Sequence, residues 1–139
     1  MYRIENMLNP KSVALIGATD REGSIGQQIM KKLLVGKDMR KVYAVNPNRE
    51  TVMELKCFPS ITEVPEHVDL AVIATPAKTV PGIVDEGGQS GVDGAVIISA
   101  GFREVGEDGE RLEDEIKQFQ EKHGLRILAL IVLGSSDLT

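Results

Sequence analysis

The chain has 139 residues, a net charge of −5 and a pI near 5.1. This length allows one core between a sheet and its covering helices but not two, so we expect a single domain over residues 1–139. The acidic balance excludes a general attraction to nucleic acid or to an anionic membrane surface. The apolar runs are far shorter than the roughly 20 residues that span a bilayer, and the N-terminus lacks a signal-peptide pattern, so we expect a cytoplasmic protein.

Few residues offer metal or redox chemistry. Cys57 is the only cysteine, so an internal disulfide is excluded. We interpret it as a small, semi-buried apolar residue. His67 and His123 are isolated in the sequence and stand in polar surroundings. We therefore expect no metal site and assign no function to either histidine.

The first third of the chain predicts a strand, a helix and a second strand. Ser12–Ile16 is a short apolar run, and apolar residues then recur at helical spacing from Ile25 to Leu34. Gly36 ends this helix, and Lys41–Val45 is a β-type run. The signals that follow are weak, and they favour only a short edge strand at Leu55–Phe58.

The middle of the chain repeats the same alternation. Asp69–Ala74 is nearly all apolar, which is typical of a parallel strand covered on both faces. Thr79 is a candidate cap for the next helix, with Pro81 in its first turn, where a missing N–H is harmless. Gly94–Ile98 is the next predicted strand.

The last third predicts a longer helix and a final strand. The helix runs from about Glu107 to His123, with Gly124 placed to end it, and Leu125–Leu133 is the last strand.

Repeated strand–helix units with short connections predict an α/β fold, a doubly wound and mainly parallel sheet with helices on both faces. Ligands of such sheets bind beyond the carboxyl ends of the strands, near the point where the strand order reverses. Four loops are then candidates: 17–26, 46–49, 75–78 and 99–104.

The first of these loops has the composition of a phosphate-binding loop. It leads from a strand into a helix, where free backbone N–H groups and the helix dipole attract a phosphate. It is not the dinucleotide-binding fingerprint, because five residues rather than one separate Gly17 from Gly23. A glycine-rich turn without a ligand remains the alternative. The candidate ligand residues are Gly17, Ala18, Thr19, Asp20, Gly23, Ser24 and Gly26.

The second loop offers Asn46, Pro47, Asn48 and Arg49. Domains that bind NAD carry an acidic residue at this position to hold the ribose hydroxyls, and this loop has none. An amide and a guanidinium better suit a ribose that carries a phosphate, as in NADP or in the 3′-phosphorylated ADP part of coenzyme A (CoA). A turn with a solvated arginine remains the alternative.

Several of these segments, in this order, resemble one known family. They are Asn9-Pro10-Lys11-Ser12-Val13-Ala14, Gly17-Ala18-Thr19-Asp20, Val45-Asn46-Pro47, Asp69-Leu70-Ala71-Val72-Ile73 and Ser99-Ala100-Gly101-Phe102-Arg103-Glu104-Val105-Gly106. The series is similar to the N-terminal CoA-binding domain of the NDP-forming acetyl-CoA and acyl-CoA synthetases, and more distantly to succinyl-CoA synthetase α subunits. The resemblance covers nearly the whole chain.

The resemblance implies a Rossmann-like domain with coenzyme A as its cofactor. It implies that the first two loops hold the nucleotide and that the thiol end approaches the later loops, where Thr75, Pro76, Ser99 and Gly101 are the candidates. It also implies synthetase partners that carry a phosphohistidine domain and an ATP-grasp module. We expect no catalytic residue in this chain and no activity from it alone.

Three features depart from the family pattern. Asn48 stands where the family often has lysine, with Arg49 next to it, and Glu54 stands where a glycine is usual. The segment Ala129-Leu130-Ile131-Val132-Leu133-Gly134 replaces a Gly-Pro-Asn turn near the reactive end of CoA, so the thiol-end site is expected to be altered.

Two other functions stay open at the level of sequence. One is an NADP-binding redox or redox-sensing domain, for which Arg49 is the best support. The other is a stand-alone CoA-binding regulatory protein, because such proteins carry a string similar to Lys56-Cys57-Phe58-Pro59-Ser60.

Overall fold

A computed structural model describes residues 9–36, 39–100 and 107–133 of the chain. Strands and helices alternate along these residues, with 3₁₀ turns at Ile61–Glu63 and Ala77–Thr79. In chain order the elements are β1 (Ser12–Ile16), α1 (Ile25–Val35), β2 (Lys41–Val45), β3 (Thr51–Val52), β4 (Leu55–Phe58), β5 (Leu70–Ile73), α2 (Val80–Gln89), β6 (Gly94–Ala100), α3 (Glu107–His123) and β7 (Arg126–Leu133). The predicted strands and helices are confirmed to within about two residues at their ends.

The strands form one sheet in the order β3-β4-β2-β1-β5-β6-β7. All neighbours pair in parallel except β3, which is antiparallel to β4. The chain builds the sheet outward from β1 on one side and then returns to place β5 on the other side of β1. The strand order therefore reverses between β1 and β5, and a ligand crevice is expected beyond the carboxyl ends of these two strands.

Helices cover both faces of the sheet, as predicted for a doubly wound Rossmann-like α/β fold. Every residue of β1 is buried, and alternate side chains serve opposite faces because successive side chains of a strand point to opposite sides. Leu15 belongs to the cluster that contains Met30 of α1. Ile16 belongs to the cluster with Val84 of α2 and Ile116 of α3. Among the described residues, one helix thus covers one face, and two helices cover the other.

The two helices that share a face are joined by a histidine. The Nε2 atom of His123 lies 2.7 Å from Oδ1 of Asp85, and this hydrogen bond is the main reason that the pKa of Asp85 is lowered. Gly88 makes room for the ring, since a Cβ atom there would lie 2.2 Å from Cγ of His123. His123 therefore has a structural role in packing α3 on α2.

The prediction of an edge strand at Leu55–Phe58 is half right. The strand forms, but β4 is not the edge, because Thr51–Val52 turns back and pairs with it in antiparallel register. A strand of two residues is too short to show any period in the sequence, so β3 was missed.

Thr79 does not cap α2, contrary to the prediction. Its hydroxyl donates to the carbonyl of Pro76 at 2.6 Å, and its Oγ1 atom lies 2.8 Å from Oγ1 of Thr75. The chain is already helical at Thr79, because the 3₁₀ turn at Ala77–Thr79 leads straight into the helix. Pro81 lies in the first turn, as predicted, and Gly124 has the left-handed φ of 71° expected of a helix terminator.

The turn between β3 and β4 carries backbone strain that a glycine would relieve. Met53 and Glu54 both have positive φ, 48° and 71°, as in two-residue hairpin turns that favour glycine. Replacing Glu54 by glycine should therefore raise the free energy of unfolding by about 1 kcal/mol, measured in urea. Glu54→Ala keeps a Cβ atom and should bring no such gain. Equal stability of the two variants would show that the positive φ of Glu54 does not affect the free energy of unfolding.

Candidate functional site

A cavity of about 760 Å³ opens at the carboxyl ends of the strands, at the crevice that the strand order predicts. Its size is that of a pocket for a substantial organic ligand. Three of the four predicted loops meet in its wall. The first loop contributes Gly17, Thr19, Ser24 and Gly26; the second contributes Asn46, Pro47, Asn48 and Arg49; the third contributes Thr75 and Pro76.

The remaining predicted residues do not line this cavity in the described part of the chain. Ala18 is fully buried, and Asp20 and Gly23 lie in the first loop without reaching the cavity wall. The side chain of Ser99 and all of Gly101 lie outside the described residues, as does Gly134 of the altered segment. Their roles stay predictions.

Two glycines allow the loop to pack closely against the strand ends. Gly17 has a φ of +95°, and a Cβ atom there would lie 2.2 Å from the carbonyl oxygen of Ala74. Its N–H donates to the carbonyl of Val45 at 2.9 Å. A Cβ atom on Gly26 would lie 2.5 Å from the carbonyl oxygen of Gly17. The two glycines thus bring the ends of β1, β2 and β5 together with the start of α1.

The start of α1 lies in the cavity wall, through Ser24, Ile25 and Gly26. Ser24 is its N-cap: the hydroxyl accepts from the N–H of Gln27 at 3.2 Å and donates to the carbonyl of Arg21 at 2.7 Å. The N–H groups of Ile25 and Gly26, in the first turn, have no partner within the helix. Together with the positive end of the helix dipole they suit a phosphate, whereas the Ser24 side chain is already occupied as a cap.

Asn46 builds the second loop through its side-chain amide. The amide nitrogen donates to the carbonyl of Ala18 at 3.0 Å, and the amide oxygen accepts from the N–H of Asn48 at 2.9 Å. One end of the side chain therefore ties the second loop to the first, and the other end shapes the second loop itself.

Arg49 is paired within the protein, an arrangement that the sequence did not suggest. Its guanidinium lies 2.7 Å from a carboxylate oxygen of Asp20, and the two side chains are 36% and 51% exposed. The arginine is thus neither simply solvated nor free at the site. Because the pair is exposed, it contributes little to stability and can exchange partners.

The other side of the cavity is formed by residues that the sequence analysis did not select. Ser60 follows β4 and Glu86 lies on α2, and the Ser60 hydroxyl donates to Oε1 of Glu86 at 2.7 Å. Ile61 and Ile83 add apolar surface beside them. The position of Pro59-Ser60 directly after a parallel strand was the signal that could have identified this part of the site.

Cys57 is buried, which confirms the interpretation from sequence. Burial raises the pKa of its thiol, so the thiolate that would be needed for nucleophilic or redox chemistry is disfavoured.

His67 is not isolated, contrary to the sequence interpretation. Its Nε2 atom lies 3.0 Å from a carboxylate oxygen of Asp93 and 3.4 Å from one of Asp69. The aspartates precede β6 and β5, which are neighbours, so the sheet brings them side by side at the end opposite the cavity. The N–H of Lys11 donates to the other oxygen of Asp69 at 2.8 Å. The absence of a metal site stays a prediction.

Within the described residues, none of the helices combines the length and apolar character needed to cross a bilayer.

Comparison with known proteins identifies the family. Residues 11–133 match the model of the CoA binding domain. The chain belongs to this family. Among solved structures, this CoA-binding domain is similar to Candidatus Korarchaeum cryptofilum dinucleotide-forming acetyl-coenzyme A synthetase 1 in complex with phosphate and ADP. The TM-score is 0.83 at 40% identity, over 94% of this chain and 28% of that one.

Two curated relatives of this CoA-binding domain are named as ADP-forming ligases. The chain is 46% identical, over 89% of its length, to acetate–CoA ligase [ADP-forming] II of Archaeoglobus fulgidus. It is 42% identical, over 94% of its length, to acetate–CoA ligase [ADP-forming] I subunit alpha of Pyrococcus furiosus. It spans only 18% and 29% of those two proteins. The family makes coenzyme A the expected cofactor, and the NADP-binding alternative is not favoured.

Proposed function

We propose that this chain binds coenzyme A in the cavity at the strand ends and is the CoA-binding part of an ADP-forming acyl-CoA synthetase. The observation that carries the proposal is the meeting of the first-turn N–H groups of α1 with the Asn46–Arg49 loop in one cavity of a chain of the CoA binding domain family. We also propose that residues 1–139 form one domain.

The placement of the ligand follows from charge. The diphosphate would lie at the start of α1, where N–H groups and the helix dipole favour an anion. The 3′-phosphate would then approach Arg49, which would exchange its bond to Asp20 for one to the phosphate. Gly17 and Gly26 would contribute indirectly, because they determine the backbone conformation of the loop. Thr75 and Pro76 would face the ligand from the end of β5.

The complete ligation would need further groups. Phosphohistidine and ATP-grasp domains or subunits are the partners that we propose, since the relatives are ADP-forming ligases and one is named as a subunit alpha. We assign no catalytic residue to the described part of this chain.

A thermal-shift comparison tests the proposed ligand. CoA at a hundredfold excess over its Kd should stabilise the folded chain by about 2.7 kcal/mol, which amounts to several degrees in Tm, because a ligand that binds only the folded state stabilises it. NADP at the same concentration should give a clearly smaller shift, since its extra phosphate is on the 2′ oxygen. A larger shift with NADP than with CoA would overturn the proposal.

A further inference from the structure

Ser60 and Glu86 form an acceptor site on the side of the cavity away from the phosphate-binding turn. The helix α1 packs on one face of the sheet, whereas α2, which carries Glu86, packs on the other. Ser60 follows β4, two strands away from β1. The Ser60–Glu86 corner and the start of α1 are therefore separate parts of one cavity.

A carboxylate in this corner restricts what part of the ligand can lie there. Glu86 would repel the phosphates, so the part of the ligand beside it should carry no negative charge and should offer hydrogen-bond donors. Its Oε1 atom accepts from the Ser60 hydroxyl, which fixes the orientation of the carboxylate, and a carboxylate has room for several hydrogen bonds in all. Ile83, which is partly buried, supplies apolar surface next to this acceptor, and the buried Ile61 packs at the same wall. A flat apolar group with one amino substituent satisfies both requirements.

The sheet order brings the base of a bound nucleotide to this corner. The Asn46–Arg49 loop, proposed to hold the ribose phosphate, follows β2, and Ser60 follows β4, which pairs with β2 in parallel. The two segments therefore lie side by side at the same end of the sheet. If the ribose lies at the Asn46–Arg49 loop, the base attached to it reaches Ser60 by turning away from the diphosphate.

We propose that Glu86, oriented by Ser60, accepts a hydrogen bond from the exocyclic amino group of adenine and makes the cavity selective for an adenine nucleotide. This inference rests on the proposed binding of CoA and adds a base-recognition residue to it. No spacing in the sequence indicates this pair, because Ser60 and Glu86 are 26 positions apart.

The test compares two ligands that differ only in this amino group. Adenosine 3′,5′-bisphosphate and purine-riboside 3′,5′-bisphosphate, in which hydrogen replaces the amino group, are titrated calorimetrically into wild type and Glu86→Ala. Wild type should prefer the adenosine ligand by about tenfold or more, the strength of a hydrogen bond to a charged group. In Glu86→Ala the preference should fall to near one. Glu63→Ala removes the same charge from an exposed position in the adjacent 3₁₀ turn and should keep the wild-type preference.

The outcomes separate this inference from the proposed function. Equal binding of the two ligands by wild type would overturn it, even if Glu86→Ala failed to fold. An unchanged preference in a folded Glu86→Ala would also overturn it. If Glu86→Ala weakened CoA but left both bisphosphates unaffected, the carboxylate would contact the pantetheine amides instead, and the base assignment would be wrong. Failure of wild type to bind either bisphosphate or CoA would instead contradict the proposed function itself.

Discussion

Replacing Gly17 by alanine should lower the free energy of unfolding by about 3 kcal/mol or more. The new Cβ atom would lie 2.2 Å from the carbonyl oxygen of Ala74 and 2.9 Å from its carbon, and these are backbone atoms at the end of β5 that cannot turn aside. The φ of +95° adds strain for any residue with a side chain. Urea unfolding measures the loss, and CoA binding should weaken with it because the start of α1 is displaced.

Gly23→Ala is the matched control for this prediction. Gly23 lies in the same loop and also has a positive φ, +82°, but no atom lies within 4 Å of the position that a Cβ atom would take. Its replacement by alanine should cost only the conformational strain, about 1 kcal/mol. Equal losses in the two variants would show that close packing of Gly17 on Ala74 does not determine the structure of the loop.

Dephospho-CoA should bind more weakly than CoA by about 1.5 to 3 kcal/mol, and Arg49→Ala should remove most of this difference. The guanidinium is positioned at the cavity wall and is held there by an exposed bond to Asp20. A 3′-phosphate carries more negative charge than the Asp20 carboxylate, so it should displace this carboxylate from the guanidinium. Asp20→Asn should strengthen CoA binding, since the phosphate then has no competitor.

The measurement is a set of four affinities, two proteins by two ligands, which gives the coupling energy directly. Arg40→Ala serves as the control, because Arg40 immediately precedes β2 at the amino end of the sheet, away from the cavity. It should leave the difference between CoA and dephospho-CoA intact. Zero coupling between Arg49 and the phosphate would remove this residue from the site and leave Asn48 as the next candidate.

The sequence was informative where a single segment determines its own structure. The apolar runs of β1, β2 and β5 predicted the parallel sheet, and the change of period after Gly17 predicted the turn at the start of α1. From these, the position of the cavity followed, because the carboxyl ends of parallel strands lie together.

Pairings between distant segments could not be predicted in the same way. The bond of Arg49 to Asp20 and that of Ser60 to Glu86 each join two different connections of the fold, and no spacing in the sequence indicates them. Thr79 is a residue type that commonly caps helices, but its hydroxyl donates to the carbonyl of Pro76 in the preceding turn. The proximity of His67 to Asp93 likewise follows from strand order alone. Sequence therefore located the loops of the site better than the contacts within them.

Hydrogen exchange with and without CoA tests the central claim most directly, because it reports both binding and its place. Saturating CoA should slow amide exchange in peptides that cover 17–26, 46–49 and 75–79, while peptides around His67 at the opposite end of the sheet should change little. The same experiment with dephospho-CoA should leave the protection at 46–49 weaker. No protection with CoA, or protection confined to the end of the sheet that carries His67, would contradict the assignment of this cavity as the CoA site.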